Sequence, residues 1–307
     1  EMMNAREYAE MLNQQDVSVN QEPSIENPSI YGKGTDWQNE ILRMALMQNY
    51  QIAASGGNKD SRYYLSISMF DQEGVIKNSG IRRYQTRLNL DRKIGKNINI
   101  GANFQFSYSQ RKPNLVSLGG FDYQSSALAT PPTMGIYNED GSYAADSPSR
   151  VVSNKIDNVV AQLNERKKQE KAASVYAGIF ADWEAIKGLK FKTFLGLNAS
   201  NNKTSEYKPS SLPTMIQNKV KGEAWINQGD SYSILWENTV NYMKEIAKGH
   251  HLTVLGGYTL QTSRSEGLSL YGKNFTNDLL DWNNLSDAET KTRLIGSSAS
   301  EWAIISY

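Results

Sequence analysis

The 307-residue chain balances 33 lysines and arginines against 32 aspartates and glutamates, and a net charge of +1 gives no electrostatic reason to expect a nucleic-acid partner. It has no cysteine, which excludes disulfides, thiol nucleophiles and zinc-thiolate clusters, and its two histidines are adjacent, at His250 and His251. No apolar stretch approaches the roughly 18 residues of a membrane-spanning helix, and the mean hydropathy of −0.58 suits a soluble protein. The 23 glycines and 17 tyrosines suit a transmembrane β-barrel equally well, because only alternate residues of such a strand meet lipid.

Along the chain, residues 4–13 read as a helix, with Asn4 as N-cap, Glu7 in the first turn and Ala5, Tyr8, Ala9 and Leu12 at helical spacing. Residues 37–47 read as a second, with Trp37, Ile41, Met44 and Ala45 on one stripe. From there the period changes to two. Tyr50, Ile52 and Ala54 alternate with polar or small neighbours, and after a turn at 56–61 so do Tyr63, Leu65, Ile67 and Met69. Tyr84, Thr86, Leu88 and Leu90 pass through a short basic turn at 92–97 into the clearest case, where Ile98, Ile100, Ala102, Phe104, Phe106 and Tyr108 face away from Asn99, Gly101, Asn103, Gln105, Ser107 and Ser109. The pattern returns from Ala173 to Trp183 and, after Ile186-Lys187-Gly188, from Leu189 to Leu197. It returns again from Tyr232 to Tyr242 and, after Ala247-Lys248-Gly249-His250, from Leu252 to Tyr258. The last residues, 301–307, read as the start of a ninth strand, and Glu1 opens no signal peptide, so the chain reads as a fragment.

Short turns alternate with long connections. The expected division is a leading loop with short helices at 1–47, four strands in 48–109, a long loop at 110–170, a hairpin at 171–199, a loop at 200–230, a hairpin at 231–260 and a loop at 261–300. Short periplasmic turns and long extracellular loops are the habit of outer-membrane barrels, whereas a sandwich or propeller has no need to collect long loops at one end. Aromatic residues add a second sign. Tyr50, Tyr84, Tyr108, Tyr232 and Tyr258 lie on the apolar face at the loop ends of the strands, and Tyr63, Trp183 and Tyr242 lie on it at the turn ends. Those are the places of rings at two membrane interfaces.

The stretch Tyr63-Tyr64-Leu65-Ser66-Ile67-Ser68-Met69-Phe70-Asp71-Gln72-Glu73-Gly74-Val75-Ile76-Lys77-Asn78-Ser79 resembles the early-barrel signature of the SusC/RagA family of TonB-linked outer-membrane transporters. Met3 to Ala9, Thr35-Asp36-Trp37-Gln38, Gln48-Asn49-Tyr50 with Ser55-Gly56-Gly57, and Arg83-Tyr84 through Asn89-Leu90-Asp91 continue the resemblance in order and spacing over residues 1 to 110. It implies an all-β, antiparallel transmembrane barrel of 22 strands, of which about nine are here, in the bacterial outer membrane. It also implies a plug domain, a TonB box and a SusD-like lipoprotein lid, with oligosaccharides or oligopeptides as cargo; plug and TonB box are absent from these residues. A passive porin, or a surface adhesin displaying long loops, is the alternative reading of the same pattern.

Catalytic and metal chemistry find little support. Ser205-Glu206-Tyr207-Lys208 has Ser-x-x-Lys spacing but lacks companion motifs. His250 and His251, adjacent on a strand end, point to opposite faces and do not share one ion, and a barrel enzyme would have no other imidazole base. No cofactor is expected; Asp278, Asp281 and Asp287 are the only suggestion of calcium in the loops, without the acid spacing or glycine of an EF-hand. The residues Asn138 to Tyr143 read as a turn tip. Aromatic loop residues remain as candidate substrate or lid contacts: Phe121, Tyr123, Tyr137, Tyr143, Trp225, Tyr271 and Trp282 offer flat apolar faces beside amides and carboxylates.

Overall fold

The computed structural model describes residues 2–113, 123–145, 147–148, 155–156 and 158–306. Its frame is one nine-stranded sheet: β1 (Met47–Gly57), β2 (Ser61–Glu73), β3 (Gly80–Ile94), β4 (Ile98–Lys112), β7 (Lys167–Ile186), β8 (Leu189–Lys208), β9 (Glu223–Ala247), β10 (His250–Lys273) and β11 (Thr290–Ser306), in that order. Every neighbouring pair is antiparallel. Two short strands in the long loop, β5 (Ser147–Pro148) and β6 (Lys155–Ile156), pair only with each other. The sheet is open, with β1 and β11 at its edges.

Register turns the alternation of each strand into one continuous face, because residues directly opposite in a ladder point the same way. One row reads Tyr50, Met69, Tyr84, Tyr108, Ala173 across β1 to β7. Two rows nearer the turns it reads Ala54, Leu65, Leu88, Phe104, Ala177, Leu197, Ile234. Trp183 and Phe191 stack at 5.6 Å near the turn end of this apolar face, and Trp236 meets Tyr258 edge-on at 6.4 Å. From Ile98 to Tyr108 the band is roughly 33 Å long along the strand, or roughly 25 Å high at the usual barrel tilt, the height of an outer-membrane apolar belt. Ile52, Ile67 and Ile179 stand more than half exposed on it, with nothing among the described residues to cover them.

The opposite face is mostly polar. Two of its apolar residues, Phe180 and Phe194, lie against glycines: a Cβ at Gly101 would come within 2.3 Å of Phe180, and one at Gly178 within 2.8 Å of Phe194. Hairpin turns are tight, and Gly188 at φ 87° has its missing Cβ only 2.2 Å from the Met243 carbonyl oxygen, so no side chain fits there.

The strands outrun their sequence expectation at the long-loop end. The loops expected at 200–230 and 261–300 shrink to 209–222 and 274–289, as β8 continues to Lys208, β9 starts at Glu223, β10 reaches Lys273 and β11 starts at Thr290. Above the apolar band both faces meet polar surroundings, so the ladder continues without the alternation that reveals it.

The helices cap that end. α1 (Ala5–Ser18) starts at Asn4 with a full capping box, the Asn4 side chain accepting from Glu7 N–H and Glu7 accepting from Asn4 N–H. α2 (Trp37–Ile41) is shorter than the expected helix at 37–47. The chain leaves it because Leu42 bridges Ile76 and Arg43 N–H donates to the Val75 carbonyl, drawing 42–46 into pairing with the β2–β3 loop. Trp37, Ile41 and Ile76 form a small core with Ala127 of α3 (Tyr123–Ala129) and Val159, Val160 and Leu163 of α4 (Val159–Glu165). Trp37 Nε1 donates to the Pro131 carbonyl at 3.0 Å and Asn78 Nδ2 to the Leu163 carbonyl at 2.9 Å. Three connections distant in sequence are thereby welded into one lobe.

Candidate functional site

Just below the loops, on the polar face, β8, β9 and β10 bring a compact group together. Parity dictates it: Tyr232, Ile234 and Trp236 point to the apolar face of β9, so Trp225 and Glu223 point to the other. A row across the strands reads Lys168, Glu206, Trp225, Tyr271, and the next reads Lys208, Glu223, Lys273. The Trp225 and Tyr271 rings are 5.1 Å apart and tilted by 43°. Lys208 Nζ lies 4.7 Å over the Trp225 ring and 3.8 Å from Glu223, a cation–π contact reinforced by a carboxylate. Tyr271 Oη donates to Glu223 Oε1 at 3.0 Å, and burial, then the Glu223 charge, push its phenol up to about 12. Arg166 donates through Nε to Glu206 Oε1 at 2.9 Å, with Lys168 3.5 Å from the same carboxylate. The Arg166 and Lys208 side chains are only 9% exposed, so these charges are far better shielded than surface ion pairs. The group offers an aromatic shelf bordered by fixed charges of both signs.

The other expected contacts fall elsewhere. Tyr137 stacks on Tyr143 at 5.1 Å at the tip of a small hairpin and is 53% exposed; the turn between them, with Asn138 N–H donating to the Ser142 carbonyl, is the expected one. Trp282 packs beside Tyr207, Ala224, Phe275 and Ala288, a cluster on the side of β8 and β9 away from the shelf. Tyr123 begins α3, and Phe121 lies outside the described residues. The three loop carboxylates serve three different partners: Asp278 accepts from Tyr207 Oη at 2.7 Å and from the Ser210 backbone and hydroxyl, Asp281 pairs with Lys167 at 2.9 Å, and Asp287 accepts from Thr276. Among the described residues no group of three metal-ligating side chains converges. Glu223 and Arg166 carry no sequence signal of their own, and Glu206 and Lys208 stand out only in the Ser-x-x-Lys spacing, not as neighbours of Trp225; the signal that could have found the group is charge at alternate positions beside Trp225 once the ladder is known to continue that far.

No family model matches the chain. Known proteins do. It is 34% identical over 256 residues to TonB-dependent receptor P3 of Formosa agariphila, covering 82% of this chain and 25% of that protein. It is 30% identical over 290 residues to TonB-dependent receptor P26 of the same organism, and 30% identical over 112 residues to TonB-dependent receptor SusC of Bacteroides thetaiotaomicron. The chain is SusC/RagA-like TonB-dependent receptor sequence. It spans about a quarter of the length of the curated relatives it matches. A solved structure described as the RagAB peptide transporter superposes with a TM-score of 0.72 at 22% identity over 99% of this chain and 36% of that one, so the SusC/RagA-like stretch has the barrel fold of that transporter. The matched relatives are receptors and transporters, not enzymes, and receptors of this type are outer-membrane proteins.

Proposed function

We propose that this stretch forms barrel wall and mouth of an outer-membrane importer for oligosaccharides or oligopeptides. Uptake is energised through TonB and covered by a SusD-like lipoprotein, both engaged through the full-length protein. The apolar face meets membrane lipid, with Tyr50, Tyr84, Tyr108 and Tyr232 at the interface beside the loops and Tyr63, Trp183 and Tyr242 at the interface beside the turns; Tyr258, expected beside the loops, lies between the two levels, four residues from Val254 opposite Tyr242 and six from Arg264 opposite Tyr232. The long-loop end is extracellular. The polar face lines the lumen, and the Trp225–Tyr271 shelf contacts cargo or lid as it passes.

The observation that carries this reading is the register: the strands keep apolar side chains on one face, as in the row Tyr63, Leu90, Ala102, Ile179, Leu195, Trp236, Leu260, Ile304 across β2 to β11, while the other face keeps mostly polar groups and an aromatic shelf at the loop end. The relative named as a peptide transporter and the relative named SusC support import as the task. Uptake of labelled oligosaccharides and oligopeptides by cells carrying the full-length receptor tests it. Uptake should require TonB, and Trp225→Ala should lower it about tenfold, the effect of losing one or two kcal/mol of stacking and cation–π contact. Uptake that persists without TonB would instead establish a passive pore, and loss of cell adhesion without any uptake would establish an adhesin.

A further inference from the structure

On the apolar side of the sheet, one row beyond Tyr84 and Tyr108 toward the loops, the residues change character. The row reads Asp71, Arg82, Gln110, Lys171, Lys203, Gln228. Arg82 is matched by Asp71 beside it. Lys171 and Lys203 are directly opposite each other on β7 and β8, the cross-strand relation in which like charges destabilise a ladder. Neither has an ion-pair partner among the described residues; Lys171 is exposed and Lys203 half-buried.

The nearby carboxylates are already engaged: Asp230 accepts from Asn201, and Glu266 from Arg264. Beneath the two lysines lies an open notch of about 580 Å³, floored by Ala173, Val175 and Ala199 and walled by Tyr232, Arg264 and the same two engaged carboxylates, Asp230 and Glu266. Its floor continues without a step into the apolar band, through Ala177 and Leu197. Two unmatched cations thus sit where the apolar face ends, above a recess that opens onto it.

We propose that Lys171 and Lys203 together bind the phosphate of a membrane-lipid headgroup in the leaflet beside the long loops, with the acyl chains running down the apolar face below. An anion between the ammonium groups removes their mutual repulsion, and the apolar band supplies the continuation that a free anion would not use. The lysines act by charge, so binding weakens as salt is raised. The site rests on the outer-membrane reading above.

The test is native mass spectrometry of the full-length protein, extracted from outer membranes in mild detergent, for retained phosphorylated lipid. The wild type should keep it, and Lys171→Gln/Lys203→Gln should keep about tenfold less, as expected for two basic residues facing an anionic surface. Lys190→Gln, on the opposite face, should keep as much as the wild type. Heat-modifiable electrophoretic migration shows that each variant is folded; if the double variant is not, the two single variants, each of which relieves the repulsion, are read instead. Equal retention by wild type and lysine variants overturns the lipid site alone. Binding of inorganic phosphate at the lysines with no retained lipid also overturns it, in favour of a free-anion site. A wild-type protein missing from the outer-membrane fraction, seen before any variant is compared, overturns the barrel reading and the lipid site with it.

Discussion

Tyr207 and Tyr271 are both near the tips of long strands and have opposite fates. Tyr207 is fully buried on the outer side, its hydroxyl donated to Asp278, and burial, then that carboxylate, raise its phenol above the ordinary range. Tyr207→Phe leaves Asp278 with Ser210 alone and should cost roughly 1.5–3 kcal/mol locally, as for a hydrogen bond to a charged group. Amide exchange should quicken in 209–222 and 274–289 and not in the apolar rows. Tyr271 is raised from 10.0 to about 12. A raised phenol binds its proton more tightly folded than unfolded, so its stabilisation is complete below pH 10 and is lost as pH rises through about 12. The tyrosinate absorbance difference between wild type and Tyr271→Phe should therefore titrate near the upper value; a difference that titrates at 10 would remove Glu223 and burial as its causes. Gly188→Ala should fail more severely than either, because left-handed backbone costs about 1–2 kcal/mol for a residue with a side chain and the Met243 carbonyl occupies the space. Reduced yield of heat-modifiable protein would measure it.

Strands and their faces obey a coarser logic, in which parity outweighs identity. Ile179→Lys places a charge near the middle of the apolar band and should destabilise the folded barrel by roughly 2–4 kcal/mol, whereas Asn198→Lys on the polar face should be nearly neutral; urea unfolding in liposomes compares them. What was legible in the sequence follows the same logic. Ile98 to Ser109 could be read because each residue meets either lipid or water, and the two environments select opposite chemistry. Thr262 to Glu266 could not, although they are as firmly laddered to β9 and β11, since both sides of the sheet are polar there. The shelf was half legible: Trp225 and Tyr271 stand out as aromatic residues, but nothing local says that they are cross-strand partners or that Lys208 reaches the same ring. The packing of Trp282 was hidden for a related reason. Its loop folds back over Tyr207 and Ala224, a contact set by residues more than fifty positions away. The helix expected at 37–47 ended early because pairing with Ile76 and Val75 outweighed its modest propensity.

For the sheet as a whole the decisive fact is that it does not close. β1 and β11 present outer edges with no ladder partner among the described residues, and lipid cannot supply one. Expressed by itself, the 307-residue chain should give no stepwise conductance in planar bilayers, while the full-length receptor should; discrete channels from the short chain would mean that it closes by pairing with other copies. Wall height also varies around the sheet. β1 has 11 residues and β9 has 25, so with the turns level the tall side rises roughly 35 Å above the low side at ordinary strand rise and tilt. The lobe built on Trp37 stands over the low strands, and the shelf is set into the tall ones.

β9 pairs with β8 through twenty residues without a slip, and with β10 along almost its whole length, slipping only at His250/His251. Mechanically that makes it a rod. One end carries the tip at 209–222, fastened by Asp278; the other ends in the tight turn before His250. A push on the tip meets no hinge on the way down: it must either tilt the hairpin as one rigid lever or tear the ladder. So long as the ladder holds, a load on the tip is carried along the whole strand and not absorbed at a bend within it.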